Sequence, residues 1–458
     1  MVFSSAVFLS IFFPAFLLLY FLCRNVWYKN VVLVISSIIF YAWGEPVWIV
    51  LLLFSGCMDF VNGRIIGAYR GRWQAKAAVT ASVVVNIGIL SLFKYSGFVA
   101  DNLGALLGVE FGFTRFNLPI GISFYTFQTL TYTIDAYRGR FRPQRTLLGY
   151  LTYLTMFPPL VAGPIVRYAD VRQQIWNRPI SPEMVSAGVT RFACGMAKKV
   201  ILANTVGSAA YLILDGNLAY LSGTGAWLGL ALFAFQIYFD FSGYSDMAIG
   251  MGKMLGFNIP ENFDYPYISR SVTEFWRRWH MSLGTFFRDY VYIPLGGNRR
   301  FQMRNLAIVW LLTGLWHGAS WNFVIWGAYY LILLVFEKYV FGRVLMRLPD
   351  FIRIIYCLLL VLVGWILFYF TSLERIMAFF RAALFQNGVT DVLSTSIFNG
   401  HVFLLIICVV ACTPLPRNIA TYFRAFRYVT PLYTAVMLLS SFMLVIAQTF
   451  SPFLYFAF

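Results

Sequence analysis

"LLTGLWHGASWNFVIWG", residues 311 to 327, sets one imidazole, His317, in a run of Leu, Trp, Phe and small residues with no charged neighbour. The chain has only three histidines, His280, His317 and His401. Counted from Arg304, a helix through residues 306–316 climbs roughly 20 Å at about 1.5 Å per residue, more than half of a hydrocarbon core about 30 Å thick. Gly314, Gly318 and Asn322 permit a break, and residues 323–337 lead back to Lys338. The stretch therefore reads as a hairpin within the membrane, with His317 at its tip. Burial disfavours the charged form of an imidazole, leaving a neutral ring able to accept a proton. A neutral histidine serving only as a hydrogen-bond partner is the other reading.

The rest of the sequence supports a membrane setting. Of 458 residues, 60% are hydrophobic, 19% aromatic and 12% charged, far more apolar than a soluble domain. The formal net charge of +17 would point to nucleic acid in a soluble protein. Here the cations cluster between apolar runs, as cytoplasmic loops do, so no nucleic-acid partner is expected and anionic lipid headgroups are. The six cysteines lie mostly in apolar runs without metal-ligand spacing, and they read as small buried hydrophobes with no metal site.

Apolar runs and basic loops alternate along the chain. A first span over residues 6–23 precedes Arg24 and Lys29, placing the N-terminus outside. It lacks the flanks of a cleavable signal. A hairpin follows, residues 31–43 and 47–62 around Gly44, Glu45 and Pro46, and then the basic loop Arg64, Arg70, Arg72, Lys76. Residues 77–94 go out, 118–136 return, and 148–166, with Pro158, Pro159, Gly163 and Pro164, read as re-entrant beside a cavity. Residues 185–214 and 227–250 go out and back. The basic segment 253–304 is placed on the cytoplasmic face, and spans at 351–370, 401–414 and 432–449 bring the C-terminus outside. The expected fold is one all-α polytopic membrane domain over residues 1–458, with about ten to eleven spanning helices plus half-membrane hairpins and interfacial helices.

Three further stretches could carry chemistry. "SVTEFWRRWHMSLGTFFRDY", residues 271–290, starts with Ser271 and Glu274 at capping-box spacing. At 100° per residue it gathers Val272, Phe275, Trp276, Trp279, Leu283, Phe286 and Phe287 on one face, and Glu274, Arg277, Arg278, Thr285, Arg288 and Asp289 on the other. A continuous interfacial helix is predicted, with His280 on the border of its faces. Next, "YIPLGGNRR" makes a glycine turn followed by Arg299 and Arg300, either an ordinary basic turn or, with Arg277, a phosphate-binding mouth. Upstream, "QIYFDFSGYSDMAIG" buries Gln236, Asp240, Ser242 and Asp246 in an apolar segment. Carboxylates there face a bundle interior or cavity, for chemistry or for helix-to-helix hydrogen bonds. His401 begins an apolar run outside these clusters and reads as structural.

Together these stretches resemble the membrane-bound O-acyltransferase family, in its bacterial polysaccharide-acylation branch. The resemblance covers nearly the whole chain: "MVFSS" at the start, "LPIGISFYTFQTLTYTIDAYRG", "FPPLVAGPIVR", "IYFDFSGYSDMAIG", "EFWRRWHMSL", "RDYVYIPLGGNR", "GLWHGASWNFVIWG" and the closing "FLYFAF". It implies that His317 is the catalytic histidine and that His280 is its earlier polar companion. It also implies helices around a central tunnel in which a cytoplasmic acyl donor and an outer acceptor meet. "IPLGGNR" and "GLWHGASWN" look closer to the alginate and peptidoglycan O-acetylation subunits than to the teichoic acid D-alanyl transferase.

By that resemblance no cofactor is bound, and acetyl-CoA is the expected donor. The acetyl group is expected to pass to a separate extracytoplasmic SGNH-like O-acetyltransferase that modifies a cell-envelope polysaccharide, from a bacterial inner-membrane location. His317 would act as general base toward an attacking hydroxyl, with His280 holding the thioester end or relaying a proton and Asp246 and Asn322 orienting. Two rival readings are a D-alanyl transferase fed by a carrier protein and a transporter or flippase whose buried histidine relays protons.

Overall fold

The computed structural model describes residues 1–111, 116–423 and 428–447. The closing "FLYFAF" and the end of the last span lie outside the described residues. Those described form helices, turns and loops without a strand, the arrangement that lets a membrane-embedded backbone satisfy its own polar groups. Eight helices among them are long and apolar enough to cross a membrane. The larger number read from hydropathy includes shorter apolar pieces such as Phe8–Phe21, the 16-residue helix Ile122–Tyr137 and residues 185–214, which fall in the shorter helical pieces Pro182–Ala197, Lys198–Ala203 and Asn204–Leu214.

Backbone contacts divide the chain into two compact units, Met1–Phe192 with Tyr244–Pro260, and Ala193–Gly243 with Glu261–Phe458. In the first, helices Val26–Gly44 and Ile49–Ala68 flank the expected Gly44 to Pro46 turn, and Trp73–Leu107 and Ile122–Tyr137 follow. The proline-rich stretch is broken into Leu147–Thr155 and Phe157–Leu160, because a proline supplies no N–H and clashes with the preceding turn. Residues 152–166 are all buried. Their freed groups are satisfied within the protein: Phe157 N–H donates to the Ser37 hydroxyl at 3.1 Å and Gly163 N–H to the Pro159 carbonyl at 3.1 Å. A polar knot that hydropathy conceals also sits in this unit, where the Asp59 carboxylate accepts from Asn86 at 2.7 Å and Asn62 at 3.3 Å.

The second unit holds the aromatic core. Trp365 Nε1 donates to the Tyr267 hydroxyl at 3.1 Å, which donates to the Ala234 carbonyl at 2.6 Å. The helix-turn-helix read around His317 is present, as helix Gln302–His317 followed by helix Trp321–Phe336, but its second limb, continued to Leu345, is long and apolar enough to cross a membrane and not only half of one. Its two backbones meet at glycines: a Cβ on Gly327 would lie 2.5 Å from the Trp310 carbonyl oxygen, and one on Gly314 would collide with the Phe323 carbonyl.

The continuous interfacial helix over residues 271–290 is not found. Helix Val272–Arg278 ends at Trp279, His280 takes a left-handed conformation with φ 45° and ψ 52°, and helix Met281–Phe287 starts afresh. The amphipathic faces are as expected, with Val272, Phe275, Trp279, Leu283, Phe286 and Phe287 buried. The break arises because the segment containing Asn262 and Asp264 takes over hydrogen bonds that a continuous helix would make. Met281 N–H donates to the Asn262 carbonyl at 3.0 Å, and Asp264 N–H to the Arg278 carbonyl at 3.0 Å.

Candidate active site

His317 is the last residue of its helix, and Gly318 continues in extended backbone. It is 6% exposed, within an aromatic cage. Ring centroids lie 4.9 Å away at Trp316, 5.0 Å at Trp326, 5.2 Å at Phe368 and 6.4 Å at Phe323. Gly318 allows this packing, since a Cβ there would strike the Phe323 ring. Beside the cage, the Trp326 indole N–H and the Tyr330 hydroxyl are buried with no hydrogen-bond partner among the described residues. Leaving such groups unmade costs about 1 to 3 kcal/mol each, so a polar ligand atom would find them ready.

His280, at the corner between its two short helices, is 1% exposed. Its ring centroid is 4.7 Å from Phe241 and 5.7 Å from Trp316. Trp316 thus packs against both imidazoles. Burial pulls His280 down from 6.5 to about 3, because a water-poor surround disfavours the imidazolium. Its Nδ1 lies 3.2 Å from Asn262 Oδ1. Sequence reading passed over Asn262, whose partnership with His280 is created only by the left-handed corner.

The remaining site residues divide by partner. Asn322 accepts from the Ser320 hydroxyl and donates to the Leu367 carbonyl at 3.3 Å, tying the hairpin tip to helix Asp350–Tyr369. Asp240 forms a buried ion pair with Lys199 at 2.6 Å, and Gln236 packs on Gly207. Asp246 belongs to the first unit, where Arg191 holds it at 2.6 Å. Arg277, Arg299 and Arg300 are exposed, the last two behind Gly296 and Gly297, whose φ values of 112° and 55° make the turn. His401 contacts the Ile397 carbonyl one turn back at 2.8 Å, a local helix contact.

A polytopic helical bundle with a neutral imidazole beside a buried histidine in an aromatic cage defines a class: membrane proteins built to handle polar chemistry away from bulk water. The family model for MBOAT, the membrane-bound O-acyltransferase family, matches residues 139–380, and the chain belongs to that family. It is a multi-pass membrane acyltransferase. It is 43% identical to the probable alginate O-acetylase AlgI of Azotobacter vinelandii across 85% of this chain and 79% of the relative. With the probable alginate O-acetylase AlgI of Pseudomonas putida it shares 38% identity over the full length of both. With the peptidoglycan O-acetyltransferase of Helicobacter pylori it shares 29% identity across 85% of this chain and 81% of the relative.

Proposed function

We propose that the protein moves an acetyl group from a cytoplasmic thioester, acetyl-CoA, toward an envelope polysaccharide such as alginate or peptidoglycan, through a separate extracytoplasmic SGNH-like transferase. The observation that carries this reading is His317, held rigidly at a helix end inside an aromatic cage. The names of the relatives support the acetyl group and the polysaccharide acceptor. His317 takes the proton from the attacking hydroxyl, positioned base catalysis contributing typically about 10²- to 10⁴-fold. Alignment of the substrates and stabilisation of the oxyanion supply further acceleration.

Arg299, Arg300 and Arg277 hold the donor phosphates at the cytoplasmic mouth while the slender pantetheine arm enters, because several phosphate charges could not cross an apolar core cheaply. The N-terminus faces outward from the bacterial inner membrane.

Purified protein in liposomes, given acetyl-CoA and an outer acceptor, should consume the thioester. His317→Ala should abolish this, and His317→Gln, which keeps hydrogen bonding but is no comparable base, should lose at least about 10²-fold with abundance and membrane insertion unchanged. Wild-type turnover by His317→Gln would remove the base assignment. Mass spectrometry of the modified glycan separates acetyl from D-alanyl transfer, and absence of thioester consumption would favour the transporter reading.

A further inference from the structure

Three contacts converge on a single oxygen beside His280. Asn262 Oδ1 receives the Ser282 backbone N–H at 3.2 Å, the Ser282 hydroxyl at 2.9 Å, and lies 3.2 Å from His280 Nδ1. A backbone N–H can only donate, so the atom facing it is the amide oxygen and not the amide nitrogen, and the side-chain orientation follows. That oxygen has no proton to give. The contact with His280 therefore requires the proton to sit on Nδ1. A neutral imidazole carries one N–H, so its Nε2 holds the lone pair.

Asn262 is well placed to enforce this. It is fully buried, and its backbone carbonyl receives the Met281 N–H at 3.0 Å. The same residue thus fixes the corner that carries His280 and the proton on its ring. Burial also keeps the ring neutral, with its titration moved down to about 3.

We propose that Asn262 is a positioning residue that locks His280 in the Nδ1–H tautomer, so that His280 meets substrate only as a hydrogen-bond acceptor through Nε2. The reference to substrate rests on the acyl-transfer reading above. The lock excludes two roles that the residue type alone would allow. His280 is not the acid that protonates a departing thiolate, and it does not donate to the thioester carbonyl. Its ligand is an uncharged N–H or O–H group, supplied by the amide of the donor's arm or by the acceptor hydroxyl.

The test uses the full chain in lipid nanodiscs with ¹⁵N-labelled histidine. Signals are assigned by their disappearance in His317→Gln and His401→Gln. At pH 7, His280 should show a protonated Nδ1 and an unprotonated Nε2. Asn262→Asp, which retains an oxygen, should keep Nδ1 protonated. Asn262→Leu, which removes the acceptor at similar size, should shift the proton to Nε2 or leave both forms exchanging. Turnover by Asn262→Leu should fall about 10- to 100-fold, the scale of a misplaced group. A rise in donor KM would assign the ligand to the donor amide, and an unchanged donor KM with slower turnover would assign it to the acceptor hydroxyl.

Protonated Nε2 in the wild type, a doubly protonated ring, or a tautomer indifferent to Asn262→Leu would each overturn the proposal. The wild-type spectrum decides even should Asn262→Leu fail to fold. The tautomer is read in the resting protein. An Nδ1–H ring in a protein that consumes no thioester would therefore sink the acyl-transfer reading and leave the lock standing, while turnover with an Nε2–H ring would do the reverse.

Discussion

The Trp326 indole N–H points its donor at no acceptor among the described residues, although its ring lies 5.0 Å from His317. A substrate oxygen that becomes negative during acyl transfer is the kind of atom such a donor serves. Trp326→Phe keeps an aromatic ring in the cage and deletes the N–H. Turnover should fall roughly 10²-fold, the usual loss for one such donor, with little change in donor KM or thermal stability. Steady-state kinetics check this, and unchanged turnover would reduce Trp326 to cage packing. At this scale the sequence showed His317, because a histidine in an apolar run is conspicuous, and His280 through the family resemblance of its stretch. Of the groups around them it named Asn322 but not Asn262. Asn262 is an ordinary loop residue until His280 turns left-handed above it. Asp246, named as an orienting candidate, has its partner Arg191 on another helix, which no local pattern reveals.

Between residue and molecule, two helices are coupled by one carboxylate. Glu337, 4% exposed, follows helix Trp321–Phe336 and accepts the Val272 N–H at 2.6 Å, the Thr273 N–H at 2.9 Å and the Thr273 hydroxyl at 2.9 Å. It thereby joins the hairpin of His317 to the start of the helix that leads into His280. Glu337→Gln offers one acceptor oxygen in place of two and turns an NH₂ toward donors. The expected cost is about 1 to 3 kcal/mol, the penalty for a buried donor left unmade, seen as a lower unfolding midpoint. An unchanged midpoint would show the cap to be dispensable. The capping box at Ser271 was legible because both partners lie within one turn: Ser271 Oγ accepts the Glu274 N–H at 3.0 Å. Glu337 was not, standing 65 residues along the chain from Val272.

The hairpin itself makes a second prediction at this scale. Gly327→Leu drives a side chain into the Trp310 carbonyl, and overpacking of a close seam costs typically about 1 to 3 kcal/mol. Thioester consumption should fall along with the unfolding midpoint. A variant with both unchanged would show that the helices can separate without consequence.

At the scale of the whole molecule, hydropathy and charge found the all-α membrane fold because span length and loop charge are local properties. The division into two units depends on contacts distant in sequence, and no composition shift marks it. The sidedness read from basic loops makes its own prediction. In a cysteine-free background, single cysteines replacing Arg72 and Arg299 should react with a membrane-impermeant reagent only from the cytoplasm, and one replacing Gly216 only from outside. Outer labelling at position 299 would move the donor mouth to the other face.

The seam at Gly314 and Gly327 has a mechanical consequence. Backbone rests on backbone there, so the contact contains no rotamers that could exchange to let one helix slide along the other. His317, fixed at the end of that seam, is a stationary landmark. Whatever opens and closes during a cycle of acyl transfer, the travelling is done by the substrates.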